Sequence, residues 1–241
     1  FHKSVLSLFI VFFNTLNIHI ASSQSIELRN YLKATKTLYN EGKLLEAITS
    51  ATKAIEFSKI DFGMKHYYTA TLIENLGIIQ YELFMYEEAR NSFIEVLSIR
   101  KETLKEDHTD IAESLNYIAL SNRKLLKYEI ALNFHNEALL IMSRSITKSN
   151  AHAMNEKNRK GAIFRACAMH TKALLEIKNK NINEAIGLLK TSSKIFFITL
   201  GKDKSQLIES YKDLIEQALL INDLELAAST KKKLKKIYKN I

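Results

Sequence analysis

Apolar residues recur along the chain at steps of three and four, the spacing that places side chains on one face of an α-helix. The stretch between residues 72 and 97 shows two such faces in succession, first Leu72, Ile73, Leu76, Ile79 and Leu83 and then Ala89, Phe93, Val96 and Leu97. We expect a pair of amphipathic helices there. The chain has no proline and six glycines, and tight turns and sheet corners draw on both residues. An all-α fold is therefore predicted.

A small residue in a similar helical context recurs five times, at Ala47, Ala89, Ala131, Ala185 and Ala227. The successive intervals are 42, 42, 54 and 42 residues, so a single insertion of twelve residues accounts for the one departure from a common period. The positions sixteen before, three before and ten after each alanine are all apolar or aromatic. Such a period is typical of a solenoid of stacked helix pairs.

The period predicts five helix-turn-helix repeats, at about residues 24–64, 65–106, 107–148, 161–202 and 203–241. The inserted residues 149–160 are polar and basic, which indicates a surface loop or extensions of the flanking helices past the stack.

The segments that join the repeats carry candidate helix caps. Asp107 and Asp203 stand eighteen residues after their alanines, where we expect them to cap new helices, and Asp203 with Gln206 has the form of a capping box. His66 and His108 share this register and are interpreted as linker residues rather than metal ligands, because no second pair joins them at ligand spacing.

The second repeat resembles the tetratricopeptide (TPR) consensus in Asn75-Leu76-Gly77, Tyr81, Tyr86-Glu87-Glu88-Ala89 and Phe93. The 42-residue period resembles the kinesin-light-chain branch of that family, and residues 106–116 are similar to its linker, with Thr109 where proline is usual. The resemblance implies a right-handed α-solenoid whose first helices line a concave groove that binds a peptide or protein segment.

The resemblance also implies which residues line that groove: Arg29, Lys36, Tyr39, Glu74, Asn75, Ile78, Tyr81, Glu113, Asn116, Arg123, Lys124, His170, Lys178, Lys212 and Glu216. Asn116 lies where this branch often places an asparagine that bonds a peptide backbone through donor and acceptor together. Arg123 and Lys124 are expected to favour an acidic stretch of ligand. The alternative for each residue is an ordinary solvated helix face.

The formal net charge of +9 is concentrated near the C-terminus. Lys3 and the six lysines at 231, 232, 233, 235, 236 and 239 account for seven charges, and subtracting them from +9 leaves +2. A nearly neutral body argues against a nucleic-acid-binding face. The last helix is predicted to cap the array, with apolar residues toward repeat four and lysines toward water. The alternative is a basic helix that docks on an anionic membrane or an acidic protein.

Residues 1–23 have the pattern of a secretory signal peptide: a basic start at Lys3, an apolar run over 5–13, and the small residues Ala21 and Ser23. Cleavage after Ser23 would leave Gln24 as the first residue of an exported, periplasmic or secreted protein. The alternative is an uncleaved leader that anchors the chain in a membrane by residues 4–20.

The sequence contains no G-x-G-x-x-G, G-x-S-x-G, H-E-x-x-H or C-x-x-C motif. Its single cysteine, Cys167, is interpreted as a small buried hydrophobe. We therefore expect no enzymatic activity, no cofactor and no metal site. The predicted function is a non-catalytic scaffold that binds a protein or peptide outside the cytoplasm. The alternative is the extracytoplasmic sensory portion of a larger membrane-bound signalling or regulatory protein.

Overall fold

The structure is a computed structural model that describes residues 25–147, 151–200 and 204–239. Within these ranges the chain forms ten α-helices and no strand: α1 (Ile26–Asn40), α2 (Leu44–Asp61), α3 (Tyr67–Glu82), α4 (Tyr86–Thr103), α5 (Thr109–Lys124), α6 (Tyr128–Thr147), α7 (Ala151–Lys178), α8 (Ile182–Thr199), α9 (Ser205–Leu220) and α10 (Leu224–Lys239). Each helix packs against the next along the chain. The predicted signal peptide over residues 1–23 lies outside the described residues.

The five periodic alanines occupy equivalent places in the fold. Each is the fourth residue of the second helix of a pair, in α2, α4, α6, α8 and α10. Each is also almost completely buried, with at most 5% of its surface exposed. A residue without a long side chain lets the two helices of a pair approach closely. The predicted all-α array of helix pairs is confirmed.

The turns inside the five pairs share one geometry. A residue with positive φ follows each first helix, and these residues recur at the same intervals as the alanines: Gly42, Phe84, Leu126, Lys180 and Asn222. The next amide donates to the carbonyl five residues earlier, as in Met85 N to Gln80 O at 2.9 Å. This is the Schellman pattern of helix termination. A left-handed backbone conformation costs free energy at residues other than glycine and asparagine. Phe84 and Leu126 adopt this conformation, and both side chains are exposed.

Gly77 allows helices α3 and α4 to pack closely, because glycine has no side chain. A Cβ atom at this position would lie 2.7 Å from Cε1 of Phe93, nearer than two carbon atoms approach without displacement. Phe93 is fully buried and stacks on Tyr117 of α5, with 4.7 Å between ring centroids. Through the contacts of Gly77, Phe93 and Tyr117, the apolar core continues from the second helix pair into the third.

Histidines, not aspartates, cap two of the first helices. His108 Nδ1 accepts from the Asp110 amide at 3.2 Å, and His66 Nδ1 accepts from the Tyr68 amide at 3.1 Å. The prediction that Asp107 caps α5 is therefore wrong, because the helix begins one residue later than the count placed it. Asp203 of the predicted capping box lies outside the described residues, and Gln206 Oε1 accepts from Arg123 Nη2.

The described part of the insertion, residues 151–160, belongs to a helix. α7 has 28 residues and runs without interruption from Ala151 through the place where a first helix was expected to begin, at residue 161. Two lysines of its first turns reach neighbouring helices: Lys157 Nζ donates to Ser145 Oγ of α6 at 2.8 Å, and Lys160 pairs with Glu113 of α5. Of the described helices, none combines the length and the apolar character needed to cross a bilayer.

Candidate functional site

First helices of neighbouring pairs are joined directly by side chains. Tyr39 Oη donates to Glu82 Oε1 between α1 and α3, and Tyr67 Oη donates to Asp110 Oδ2 between α3 and α5, each at 2.6 Å. A third link, between α7 and α9, joins His170 Nε2 to Asp213 Oδ2, also at 2.6 Å. The two residues of each pair are 43 apart, one period plus one. The first helices therefore face one another, and we call this side of the array the inner face.

Glu74 of α3 is held by a buried arginine. Arg100 of α4 donates from Nη1 and Nη2 to the two oxygens of Glu74, at 2.6 and 2.9 Å. The same guanidinium donates to Ser114 Oγ of α5 at 2.8 Å. Burial raises the pKa of Glu74, and the charge of Arg100 opposes that rise. This pair ties three helices together, and Glu74 presents no free carboxylate to a ligand.

Arg123 is the centre of a second polar cluster on the inner face. Its Nη2 donates to Gln206 Oε1 at 2.9 Å and to Glu209 Oε2 at 3.0 Å, both on α9. Lys124 donates to the other oxygen of Glu209. Although burial alone would raise the pKa of Glu209, Arg123 and Lys124 lower it to about 2. The third helix pair is thereby joined to the fifth.

His170 extends this cluster. Its Nδ1 lies 3.4 Å from Arg123 Nη1. A guanidinium can only donate, so Nδ1 must accept and the proton is assigned to Nε2, which donates to Asp213. Asp213 is thus oriented by the same cluster that holds Glu209.

Several buried polar atoms of the first helices have no hydrogen-bond partner among the described residues, including Arg123 Nε and Gln217 Oε1. Two more, Asn116 Oδ1 on α5 and Tyr81 Oη on α3, belong to residues that are 2% and 5% exposed. Asn116 stands seven residues before Arg123, two helical turns along the same face. Tyr81 lies within electrostatic range of Arg123 and Glu209, and its burial raises its phenol pKa. An unsatisfied buried group of this kind costs about 1–3 kcal/mol.

The structure divides the fifteen residues predicted to line the groove by exposure. Arg29, Lys36, Lys178, Lys212 and Glu216 are exposed, and Tyr39 and Lys124 are half-buried. The remaining eight are buried: Glu74, Asn75, Ile78, Tyr81, Glu113, Asn116, Arg123 and His170. Several of them bond within the chain as described above. Their role toward a partner stays a prediction.

Three residues of these polar clusters were not predicted from the sequence. They are the acids Glu209 and Asp213 of α9, and Arg100 of α4. The 43-residue spacing was available as a signal, since His170 and Asp213 stand one period plus one apart. No comparable signal joins Arg123 to Glu209, because this contact skips a whole repeat.

Cys167 faces the same cluster from α7. It is 1% exposed, and burial raises the pKa of its thiol to about 12. A thiol in this state is a poor nucleophile. Among the described residues, no group of three or more histidine, cysteine or acidic side chains is arranged to hold a metal ion.

Comparison with known proteins agrees with this geometry. Residues 68–144 match the sequence family described as tetratricopeptide repeat. Comparison with curated proteins gave no match. Solved structures similar to the chain include the nearly identical TPR-like repeats of a kinesin-light-chain-like protein from Podosopora anserina, at 15% identity over 88% of this chain and 95% of that chain, with a TM-score of 0.51. MamA from Desulfovibrio magneticus RS-1, from residue 41 to the end, matches at 13% identity over 90% of this chain and 98% of that chain, with a TM-score of 0.55. The apo form of RapI matches at 14% identity over 91% of this chain and 86% of that chain, with a TM-score of 0.58.

These likenesses, at 13–15% identity, concern the fold. The match of residues 68–144 falls on helices α3 to α6, where the consensus residues of the second repeat lie. Residues 68–144 therefore match the tetratricopeptide repeat, and the chain has the helical-repeat fold of these solved structures.

Proposed function

We propose that the chain is a non-catalytic binding protein that holds a peptide or protein segment against its inner face. One observation carries the proposal: Asn116 Oδ1 and Tyr81 Oη are buried there without a hydrogen-bond partner among the described residues. Native structures satisfy the great majority of such groups. Once a bound segment displaces the side chains that shield these atoms, a backbone N–H of the segment would donate to Asn116 Oδ1, and a backbone carbonyl would accept from Tyr81 Oη. Both atoms would then be satisfied by the ligand.

The charges of the inner face favour an acidic segment. Arg123 and Lys124 both donate to Glu209, which is an acid of the chain's own α9. Glu209 is about a quarter exposed, whereas Arg123 is buried. A carboxylate of the ligand would take the place of Glu209 on these two cations, and the geometry of a charge-assisted bond makes this exchange selective for carboxylates. In this proposal Glu209 competes with the ligand.

Selection from a random dodecapeptide display library on the immobilised protein tests the proposal. We expect the selected peptides to be enriched in aspartate and glutamate. Their affinity should fall about tenfold or more in Asn116→Ala and in Arg123→Gln, because each substitution removes a charge-assisted or buried hydrogen bond worth on the order of 1.5–3 kcal/mol.

Asn91→Ala is the matched control, because Asn91 is an exposed residue of α4, a second helix. Circular dichroism of each variant shows whether it keeps its helices. Peptides without acidic enrichment, or equal binding by wild type, Asn116→Ala and Arg123→Gln, would exclude the inner face as the binding site.

We also propose that this binding takes place outside the cytoplasm. The proposal rests on the basic start, short apolar run and small residues of positions 1–23. N-terminal sequencing of the protein recovered from the cell envelope or medium tests it, with Gln24 as the expected first residue. Recovery of the uncleaved chain from the cytoplasmic fraction would contradict it.

A further inference from the structure

Helix α10 carries a wide basic face that the fold does not use. Its exposed lysines are Lys231, Lys232, Lys233, Lys235, Lys236 and Lys239, and its one acid is Glu225 in the first turn. In the described part of the chain, none of these lysines lies within ion-pair distance of a carboxylate. The opposite side of the helix packs inward through Ala227, Thr230 and Ile237. The six charges are therefore free to meet a partner.

Apolar and aromatic side chains border this face. Phe197 and Ile198, in the last turn of α8, are 61% and 71% exposed, and Tyr238 in the last turn of α10 is 52% exposed. Both α8 and α10 are second helices, and both pack against α9. We call the six lysines together with Phe197, Ile198 and Tyr238 the C-terminal basic surface.

This surface lies on the outer side of the array, away from the proposed peptide site. α8 and α10 are second helices, and the side-chain links described above join first helices on the inner face. An extended peptide needs a groove that covers much of its length. The exposed side chains of α8 and α10 project into solvent instead. A broad, flat partner suits it better.

The residue types point to an anionic lipid surface. All six cations are lysines, and no arginine occurs after Arg165. Lysine is a compact, strongly hydrated charge suited to a diffuse negative surface, whereas arginine suits bidentate recognition of single phosphates or carboxylates. Exposed phenylalanine, isoleucine and tyrosine beside such lysines are typical of helices that lie in a membrane interface. We propose that the C-terminal basic surface docks the array on a membrane that contains anionic lipids.

Vesicle co-sedimentation of the full chain tests this proposal. The probes are vesicles of phosphatidylcholine alone and vesicles of phosphatidylcholine with phosphatidylserine at roughly seven to three, a composition with a strongly negative surface potential. The measured quantity is the ratio of the two partition coefficients, because any contribution of the apolar N-terminal residues is common to both vesicles. The wild-type ratio should be well above one and should fall steeply as salt screens the surface charge.

Two variants separate charge from apolar insertion. In Lys232→Gln/Lys235→Gln/Lys236→Gln the ratio should fall about a hundredfold, since each lysine near an anionic surface is worth roughly a fivefold gain in partitioning. In Phe197→Ser/Ile198→Ser the charge is unchanged, and binding to the anionic vesicles should fall severalfold. The matched control, Lys33→Gln/Lys53→Gln/Lys105→Gln, removes three exposed charges elsewhere and should keep the wild-type ratio.

A ratio near one for the wild type would overturn the proposal, as would an equal loss in the control variant. Duplex DNA and polyglutamate serve as competing probes in the same buffer. If either binds in a manner that depends on Lys232, Lys235 and Lys236 while the anionic vesicles do not, the surface recognises that polymer and the lipid proposal is wrong.

Discussion

The Arg123 guanidinium of α5 donates to the Glu209 carboxylate of α9, with 3.0 Å between Nη2 and Oε2, although 86 residues separate them along the chain. Arg123 is almost fully buried, and Lys124 holds the second oxygen of Glu209. The contact joins the third helix pair to the fifth across the fourth. It also occupies the two cations that the inner face would otherwise offer to a ligand.

The first prediction concerns acid stability through Glu209. Its folded-state pKa of about 2 lies below the usual range of a glutamate. The pair therefore contributes stability above about pH 4.5, and this contribution is lost as the pH falls toward 2. At neutral pH, Glu209→Gln should lower the free energy of unfolding by on the order of 3 kcal/mol, the equivalent of the pKa shift.

Urea unfolding of both proteins at several pH values checks this. The difference between wild type and Glu209→Gln should shrink between pH 4.5 and 2, since a protonated glutamate resembles glutamine. All other carboxylates titrate in both proteins and cancel. A difference that stays constant over this range would refute the charge-based explanation.

The second prediction concerns His135, which is fully buried on α6 with Nε2 3.2 Å from Thr171 Oγ1 of α7. Burial lowers its pKa to about 3, and the positive charge of Arg123 acts in the same direction. The unfolded chain takes up this proton near pH 6.5 but the folded chain does not, so stability falls with pH from about 6.5 toward 3. The slope should approach roughly 1.4 kcal/mol per pH unit from this group. His135→Gln should remove this dependence of the free energy of unfolding on pH between pH 6 and 5. An unchanged slope in the variant would contradict the assignment to His135.

The period along the chain was sufficient to predict the helix pairs but not the contacts of the inner face. Ala185 and Ala227 could be placed in equivalent helices because each pair needs a small residue where its helices cross. The cap at His108 was missed because a neighbouring aspartate is the commoner capping residue. The partnership of Arg123 with Glu209 depends on the curvature accumulated over two repeats, and a count of residues does not encode that curvature.

The third prediction concerns the contact of Gly77 with Phe93. Gly77→Ala would place its Cβ 2.7 Å from the Phe93 ring, which stacks on Tyr117 and has little room to move. We expect a loss of about 1–3 kcal/mol in the free energy of unfolding from overpacking. Gly187→Ala is the control, because nothing lies within 4 Å of the added Cβ, and it should stabilise the helix by up to about 1 kcal/mol. Equal effects of the two substitutions would show that packing at Gly77 is not limiting.

The fourth prediction concerns the buried pair of Arg100 and Glu74. Arg100→Met leaves the Glu74 carboxylate buried without a counter-charge, so it should cost about 3–5 kcal/mol. Adding Glu74→Leu removes the stranded charge and should recover most of that loss. Chemical denaturation of the wild type, both single variants and the double variant measures the coupling between the two residues. Additive losses would mean that the two side chains contribute independently.

In the proposed binding mode, a ligand of the inner face displaces Glu209 from Arg123 and Lys124. The most direct test is the dissociation constant of an acidic peptide selected on the wild-type protein, measured by fluorescence anisotropy for wild type and Glu209→Gln at a pH and temperature where both are folded. If Glu209 competes with the ligand, the variant should bind about tenfold more tightly, which corresponds to roughly 1.4 kcal/mol. Equal or weaker binding by the folded Glu209→Gln variant would contradict the claim.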